Sequence, residues 1–186
     1  IRHGFPWVYD NEMVLDRRTK KLDPGAIAIL EDAERAPIAL VTVNPNSKIF
    51  ARALDREITA NIDQSWMERR LQTALSLRMR LFDAPFYRLV HAEADGFPGV
   101  IVDRFDDVVV VQPNAAWADA MINELVAAII AVTGVKTVIK NASGRARALE
   151  GLDDETVVMA GQMPDVAIPV PMNGAIYMAD VAGGQK

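Results

Sequence analysis

Between Trp7 and about Ile62 the apolar residues come in short runs separated by turn signals, and no stretch keeps a 3.6-residue period. That pattern predicts a small β domain. Strands are expected at Ala26 to Leu30 after the Asp23-Pro24-Gly25 turn, at Ile38 to Val43, and at Ile49 to Leu54. The last two are joined by Asn44-Pro45-Asn46-Ser47, where proline presets a turn and Asn46 tolerates left-handed backbone. The period then changes. Asp63 is placed to cap a helix running to about Phe82, with Ser65-x-x-Glu68 as a competing start, and Met67, Leu71, Ala74, Leu75, Met79 and Phe82 share one face.

After the Asp83-Ala84-Pro85 break, Tyr87 to Ala92, Val100 to Asp103 and Val108 to Gln112 predict a three-stranded meander. A second helix is expected from Ala116 to about Thr133, with Trp117, Met121, Leu125, Ile129 and Val132 on one stripe and Gly134 as its C-cap. Strands at Val135 to Lys140, Thr156 to Ala160, Val166 to Val170 and Ala175 to Ala179 follow, the last two joined by an Asn173-Gly174 hairpin turn. The expected fold class is α+β: a small β-barrel over residues 1–65, then residues 66–186 as a mostly antiparallel sheet with two helices. The boundary sits where the period changes.

Composition narrows the function classes. Half of the 186 residues are apolar, enough for a buried core, yet no run approaches the roughly 20 residues of a membrane span. A soluble, cytoplasmic protein without a membrane partner is expected. With no cysteine, the chain holds no disulfide, thiolate zinc site or cysteine nucleophile, and two histidines make a histidine-rich metal site implausible. Net charge is −5, but residues 1–82 carry 13 Lys/Arg against 11 Asp/Glu while residues 83–186 carry 7 against 14, so a polyanion would prefer the first part.

No motif in the chain carries a reaction. Gly183-Gly184-Gln185-Lys186 lacks the rest of a phosphate loop, and no G-x-G-x-x-G occurs, so no cofactor-binding residues are expected in this chain. Asp103, Asp106 and Asp107, and Asp153, Asp154 and Glu155, lack EF-hand spacing and are expected to be solvated turn formers, with no metal ligands among them. His91, Glu93 and Asp95 could form an acid/base set, but no nucleophile accompanies them. Basic and aromatic residues near the start, Arg2, His3, Phe5, Trp7, Arg17, Arg18, Lys20 and Lys21, then Lys48, Arg52 and Arg56, fit RNA contact; Phe5 and Trp7 also fit anchors of the β core.

Five stretches, "RHGFPWVY" (Arg2 to Tyr9), "VNPNSKIFARAL" (Val43 to Leu54), "YRLVHAEADGFPGVIVDRF" (Tyr87 to Phe105), "EGL" (Glu150 to Leu152) and "NGAIYMADVAGGQK" (Asn173 to Lys186), resemble the bacterial ribosomal RNA large-subunit methyltransferase I type. Those enzymes are S-adenosylmethionine-dependent and make 5-methylcytosine in large-subunit ribosomal RNA. The resemblance implies an N-terminal PUA domain that contacts RNA, a central α+β domain, and a Rossmann-like catalytic domain with the cofactor loops and cysteines, expected after Lys186. It implies that S-adenosylmethionine binds the full-length protein and not this part, which would be inactive alone. The chain departs from the family at His3-Gly4-Phe5-Pro6-Trp7, two residues longer than the usual His-Pro-Trp, and at Asn141-Ala142-Ser143-Gly144-Arg145, where Glu/Asn-Arg-Ser-Asp is expected.

The expected function is therefore RNA recognition, with the central domain, for an RNA cytosine-5 methyltransferase. Arg2, His3, Lys48 and Arg52 are the expected RNA contacts and Trp7 their structural support. The partner is RNA, ribosomal by the resemblance, and a homodimer is left open. The alternative is a stand-alone RNA-binding or assembly module; a hydrolase built on His91, Glu93 and Asp95 is a third, weaker reading.

Overall fold

The computed structural model describes Ile1 and residues 3–181, so Arg2 and the Ala182 to Lys186 tail lie outside the described residues. Four antiparallel strands make the first sheet: β1 (Trp7–Tyr9), β2 (Ile27–Glu31), β3 (Pro37–Val43) and β4 (Ile49–Asp55), in the order β1-β4-β3-β2. Strand β1 is too short to show a period, and it exists because Trp7 and Val8 pair with Arg52 and Ala51. Among the described residues the sheet is open, without the β1-to-β2 pairing that would close a barrel. Val8, Leu30, Val41, Val43 and Phe50 form its core. In the β3-β4 turn the Asn44 side-chain oxygen accepts from the Asn46 amide at 3.0 Å, the Asx geometry that asparagine before a turn favours.

Helix α1 (Gln64–Leu81) begins at Asp63, whose carboxylate accepts the Trp66 amide at 2.8 Å. Ser65 does not start the helix, because the Asp63 cap two residues earlier already satisfies a first-turn amide. Trp66, Met67, Leu71, Ala74 and Leu75 are buried, but Met79 and Phe82 are exposed, and in the last turn it is Arg78 that is buried, donating to the Arg88 carbonyl at 3.0 Å.

Five strands make the second sheet, in the order β5-β6-β7-β8-β9: β5 (Phe86–His91), β6 (Val100–Phe105), β7 (Val108–Pro113), β8 (Thr137–Ala142) and β9 (Glu155–Ala160). The meander of β5, β6 and β7 is antiparallel, whereas β7 and β8 pair in parallel across the helical crossover. A helical connection is what lets neighbouring strands run the same way. The crossover holds two helices, α2 (Ala116–Ala120) and α3 (Ile122–Thr133), where the periodicity predicted one; they meet at Met121, with φ −105° and ψ 28°. Gly134 caps α3 in the left-handed region, as expected. A further short helix, α4 (Arg145–Glu150), had no sequence signal. The chain then forms the separate hairpin of β10 (Ile168–Met172) and β11 (Ala175–Ala179), turned at Asn173 and Gly174 with φ of 54° and 77°. Positive φ at both central residues is the reason this turn favours Asn-Gly.

The two sheets are joined by a continuous core. Leu40 and Leu54 of the first sheet belong to the same apolar cluster as Trp66, Phe97, Val102 and Leu125. The Trp66 ring meets Phe97 and Trp117 edge-on, at centroid distances of 5.7 and 6.2 Å. Arg70 stacks on Trp66 at 4.1 Å and donates to the Asp55 carboxylate and to the Leu54 and Gly96 carbonyls. Gly25, at φ +89°, lies where a Cβ would come within 2.9 Å of the Ala116 backbone, so the turn before β2 touches the start of α2. No described helix is long and apolar enough to cross a membrane.

Candidate functional site

Strand β4 carries Arg52, whose side chain is directed at Glu93 and Glu150 beside the second sheet. Its guanidinium donates to the Glu93 carboxylate at 3.3 Å and to the Glu150 carboxylate at 3.0 Å, and lies 5.7 Å from the centre of the Trp7 ring. The Trp7 indole N–H donates to the same Glu93 oxygen at 2.7 Å. Glu150 also accepts from the Asn44 side-chain amide at 2.8 Å and from the Ser47 hydroxyl at 3.3 Å, and its backbone carbonyl accepts from Asn44 at 3.0 Å. One cation thus faces two carboxylates, and the amide, hydroxyl and indole donors supply the rest of their satisfaction.

Helix α4 is positioned from its other side by Arg147, which is 1% exposed. Arg147 donates twice to the Asp153 carbonyl, at 3.0 and 2.7 Å, once to the Pro113 carbonyl, and once to Asp119 at 3.0 Å. Lys140 reaches the same Asp119 oxygen at 2.9 Å. Burial alone would raise the Asp119 carboxyl, but the hydrogen bonds and charges of Lys140 and Arg147 outweigh it and hold it below the ordinary carboxylate value. Held in this way, α4 presents Ala146, Leu149 and Glu150 to a cleft of about 620 Å³ between the two sheets, whose opposite wall carries Trp7, Ile49 and Arg52.

The residues expected to touch RNA fall in different settings. Lys48 is exposed at the rim of this cleft. His3 is exposed on the N-terminal segment, and Arg2 is outside the described residues. The Arg52 side chain is only 13% exposed, and both neighbouring carboxylates already engage it. Arg17, Arg18, Lys20 and Lys21 sit on an exposed loop ordered by Asp16, whose carboxylate accepts from the Thr19 and Arg18 amides. Those hydrogen bonds, led by that from Thr19, lower the Asp16 carboxyl.

The His91, Glu93 and Asp95 set is divided among structural tasks. Asp95 takes a two-pronged contact from Arg78 at 2.7 and 2.6 Å and the His91 backbone amide at 2.7 Å, while Glu93 belongs to the Trp7 and Arg52 network. Asp103, expected as a solvated turn former, is instead buried inside β6, where Arg88 pairs with it at 2.9 Å, while Asp107 does sit on a turn and pairs with the exposed Lys136. Sequence reasoning missed Asn114, Arg147 and Glu150. The single signal for any of them was the family-like "EGL" at Glu150 to Leu152, because Glu150 pairs with residues 98 and 106 positions away and Arg147 with residues up to 34 away, separations that leave no local period.

Comparison with known proteins agrees with this architecture. A family model described as a PUA-like domain matches residues 1–56. A ribosomal RNA large subunit methyltransferase I of Alteromonas mediterranea is 31% identical over 189 aligned residues, covering all of this chain and 47% of the relative. A ribosomal RNA large subunit methyltransferase of Deinococcus radiodurans is 30% identical over 197 residues, again covering all of this chain and 47% of the relative. The chain therefore spans about half the length of these relatives. A Streptococcus mutans structure assigned as a SAM-dependent methyltransferase superposes with a TM-score of 0.75 at 15% identity, over 94% of this chain and 44% of that one, which establishes a shared fold.

Proposed function

From a chain homologous along its whole length to ribosomal RNA large subunit methyltransferases, we propose that these residues form the RNA-recognition and central domains of an S-adenosylmethionine-dependent enzyme that methylates C5 of cytosine in ribosomal RNA. The observation that carries this reading is the match of this whole chain to about half of two ribosomal RNA large subunit methyltransferases, together with a PUA-like domain over residues 1–56. The domains divide near residue 65. In this reading the catalytic domain and the cofactor site belong to the rest of the protein, which works in the cytoplasm. A cysteine thiolate adds to the base in that chemistry, and this chain contains no cysteine, so the nucleophile must come from elsewhere in the protein and the present chain alone transfers no methyl group.

Arg2, His3 and Lys48 contact the RNA backbone in this reading. Arg52 contributes by position: it holds Glu150, and Glu150 holds Asn44 and Ser47 of the turn that leads to Lys48. The full-length protein is tested with radiolabelled S-adenosylmethionine and ribosomal RNA, with nucleoside analysis of the product. Label in 5-methylcytidine is expected, and Lys48→Ala should weaken RNA binding and reduce the salt slope by about one. Label in any other nucleoside overturns the cytosine-C5 assignment. RNA binding without methyl transfer favours a stand-alone RNA-binding module.

A further inference from the structure

The cleft between the two sheets contains polar groups without a partner among the described residues. Arg52, Glu93, Glu150 and Ser47 satisfy one another and form a closed wall. The side-chain amides of Asn46 and Asn114 and the ammonium of Lys48 also line the cleft, and none of the three has a hydrogen-bonding or ionic partner among the described residues. Each carboxamide carries donors and an acceptor side by side. The apolar part of the lining is Trp7, Ile49 and Leu149, and Leu149 is 66% exposed although it is large and apolar.

These features select a ligand. An apolar wall suits the face of a planar ring, a pair of free carboxamides suits its hydrogen-bonding edge, and one cation at the rim suits a single phosphate. Two carboxylates behind the wall disfavour a polyphosphate, since their charges exceed that of Arg52. About 620 Å³ lies within the roughly 300–1,000 Å³ of small-ligand sites and cannot admit a duplex. Resting on the RNA-binding reading above, we propose that the cleft receives one unpaired nucleotide of the RNA. Its base lies against the Trp7 and Leu149 wall, its edge is read by Asn46 and Asn114, and its phosphate faces Lys48.

The test titrates a short single-stranded RNA oligonucleotide, and the duplex of the same sequence, into the full-length protein while recording tryptophan fluorescence. Stacking is expected to quench Trp7, with the quench lost in Trp7→Phe. Leu149→Ala and Asn114→Ala should each weaken single-strand binding about tenfold, leaving the salt slope and duplex binding unchanged. Both replaced side chains lack internal hydrogen bonds and Leu149 is exposed, and an unchanged thermal transition confirms that the fold is retained. If both variants bind like the wild type, or RNA leaves Trp7 fluorescence unaltered, the cleft assignment is overturned; Lys48→Ala still reducing the salt slope then preserves RNA binding at the surface. A wild-type protein that binds neither strand nor duplex at low salt overturns both readings.

Discussion

Glu150, at the end of α4, accepts a 3.0 Å hydrogen bond from Arg52, on strand β4 of the first sheet. The two side chains are 4% and 13% exposed, so the pair is a nearly dry bridge between the parts of the chain that carry the two sheets. Removing one member of such a pair leaves the other charge buried without its partner, and the loss exceeds the net worth of the bridge. Glu150→Ala and Arg52→Ala should each destabilise the protein by about 3 kcal/mol, while the double variant costs clearly less than their sum. Urea unfolding of the four proteins measures the coupling, and additivity would show the bridge to be energetically idle.

Gly25 allows the turn before β2 to touch α2. Its φ of +89° disfavours any side chain, and a Cβ would lie 2.9 Å from both the Ala116 carbonyl carbon and the Trp117 nitrogen, neither of which belongs to a flexible side chain. Gly25→Ala should therefore lower stability by about 1–3 kcal/mol. Gly134→Ala is the control, because its Cβ would enter open space at a similar φ of +69° and so isolates the cost of backbone strain. Comparing the two thermal transitions separates collision from strain.

Arg147 tests what holds α4. Its planar fork donates to carbonyls of Pro113 and Asp153 and to the Asp119 carboxylate, a set that a lysine ammonium cannot span from one point. Arg147→Lys should destabilise the fold by about 2–3 kcal/mol and speed amide exchange in Arg145 to Glu150 more than in β6. Hydrogen exchange followed by mass spectrometry reads the difference directly.

Asp119 gives the pH prediction. Its carboxyl is lower in the folded protein than the ordinary 3.8, because the opposing hydrogen bonds from Lys140 and Arg147 overcome the effect of burial. A depressed carboxylate contributes stability that is complete above about 3.8 and is lost as pH falls from there through the folded value. Asp119→Asn should accordingly be less stable than the wild type at neutral pH, with the gap narrowing below pH 3.8. Denaturation midpoints measured from neutral pH down to the acid limb follow that convergence.

Local features were legible in the sequence because their causes are local. The Asp63 cap, the Gly134 terminator, the Asn173-Gly174 turn and the period of α1 each act within one or two turns of chain, so the elements appear where the residues place them. The PUA-like and α+β character followed from that order together with the family resemblance, and the comparisons support it. The open first sheet, the parallel pairing of β7 with β8, the break at Met121 and the helix at Arg145–Glu150 depend on partners distant in sequence.

Arg52 shows the division most clearly. Sequence alone determined that a basic residue stands within an otherwise apolar strand, Ile49 to Leu54. Only the tertiary structure decided that this cation would be enclosed by Glu93, 41 residues away, and Glu150, 98 residues away, while the Lys48 ammonium at the rim has no partner among the described residues. The reason is physical: a charge's identity is written in the chain, but its neutralisation is set by which carboxylates the packing brings within hydrogen-bond reach, and no period in the sequence encodes that distance.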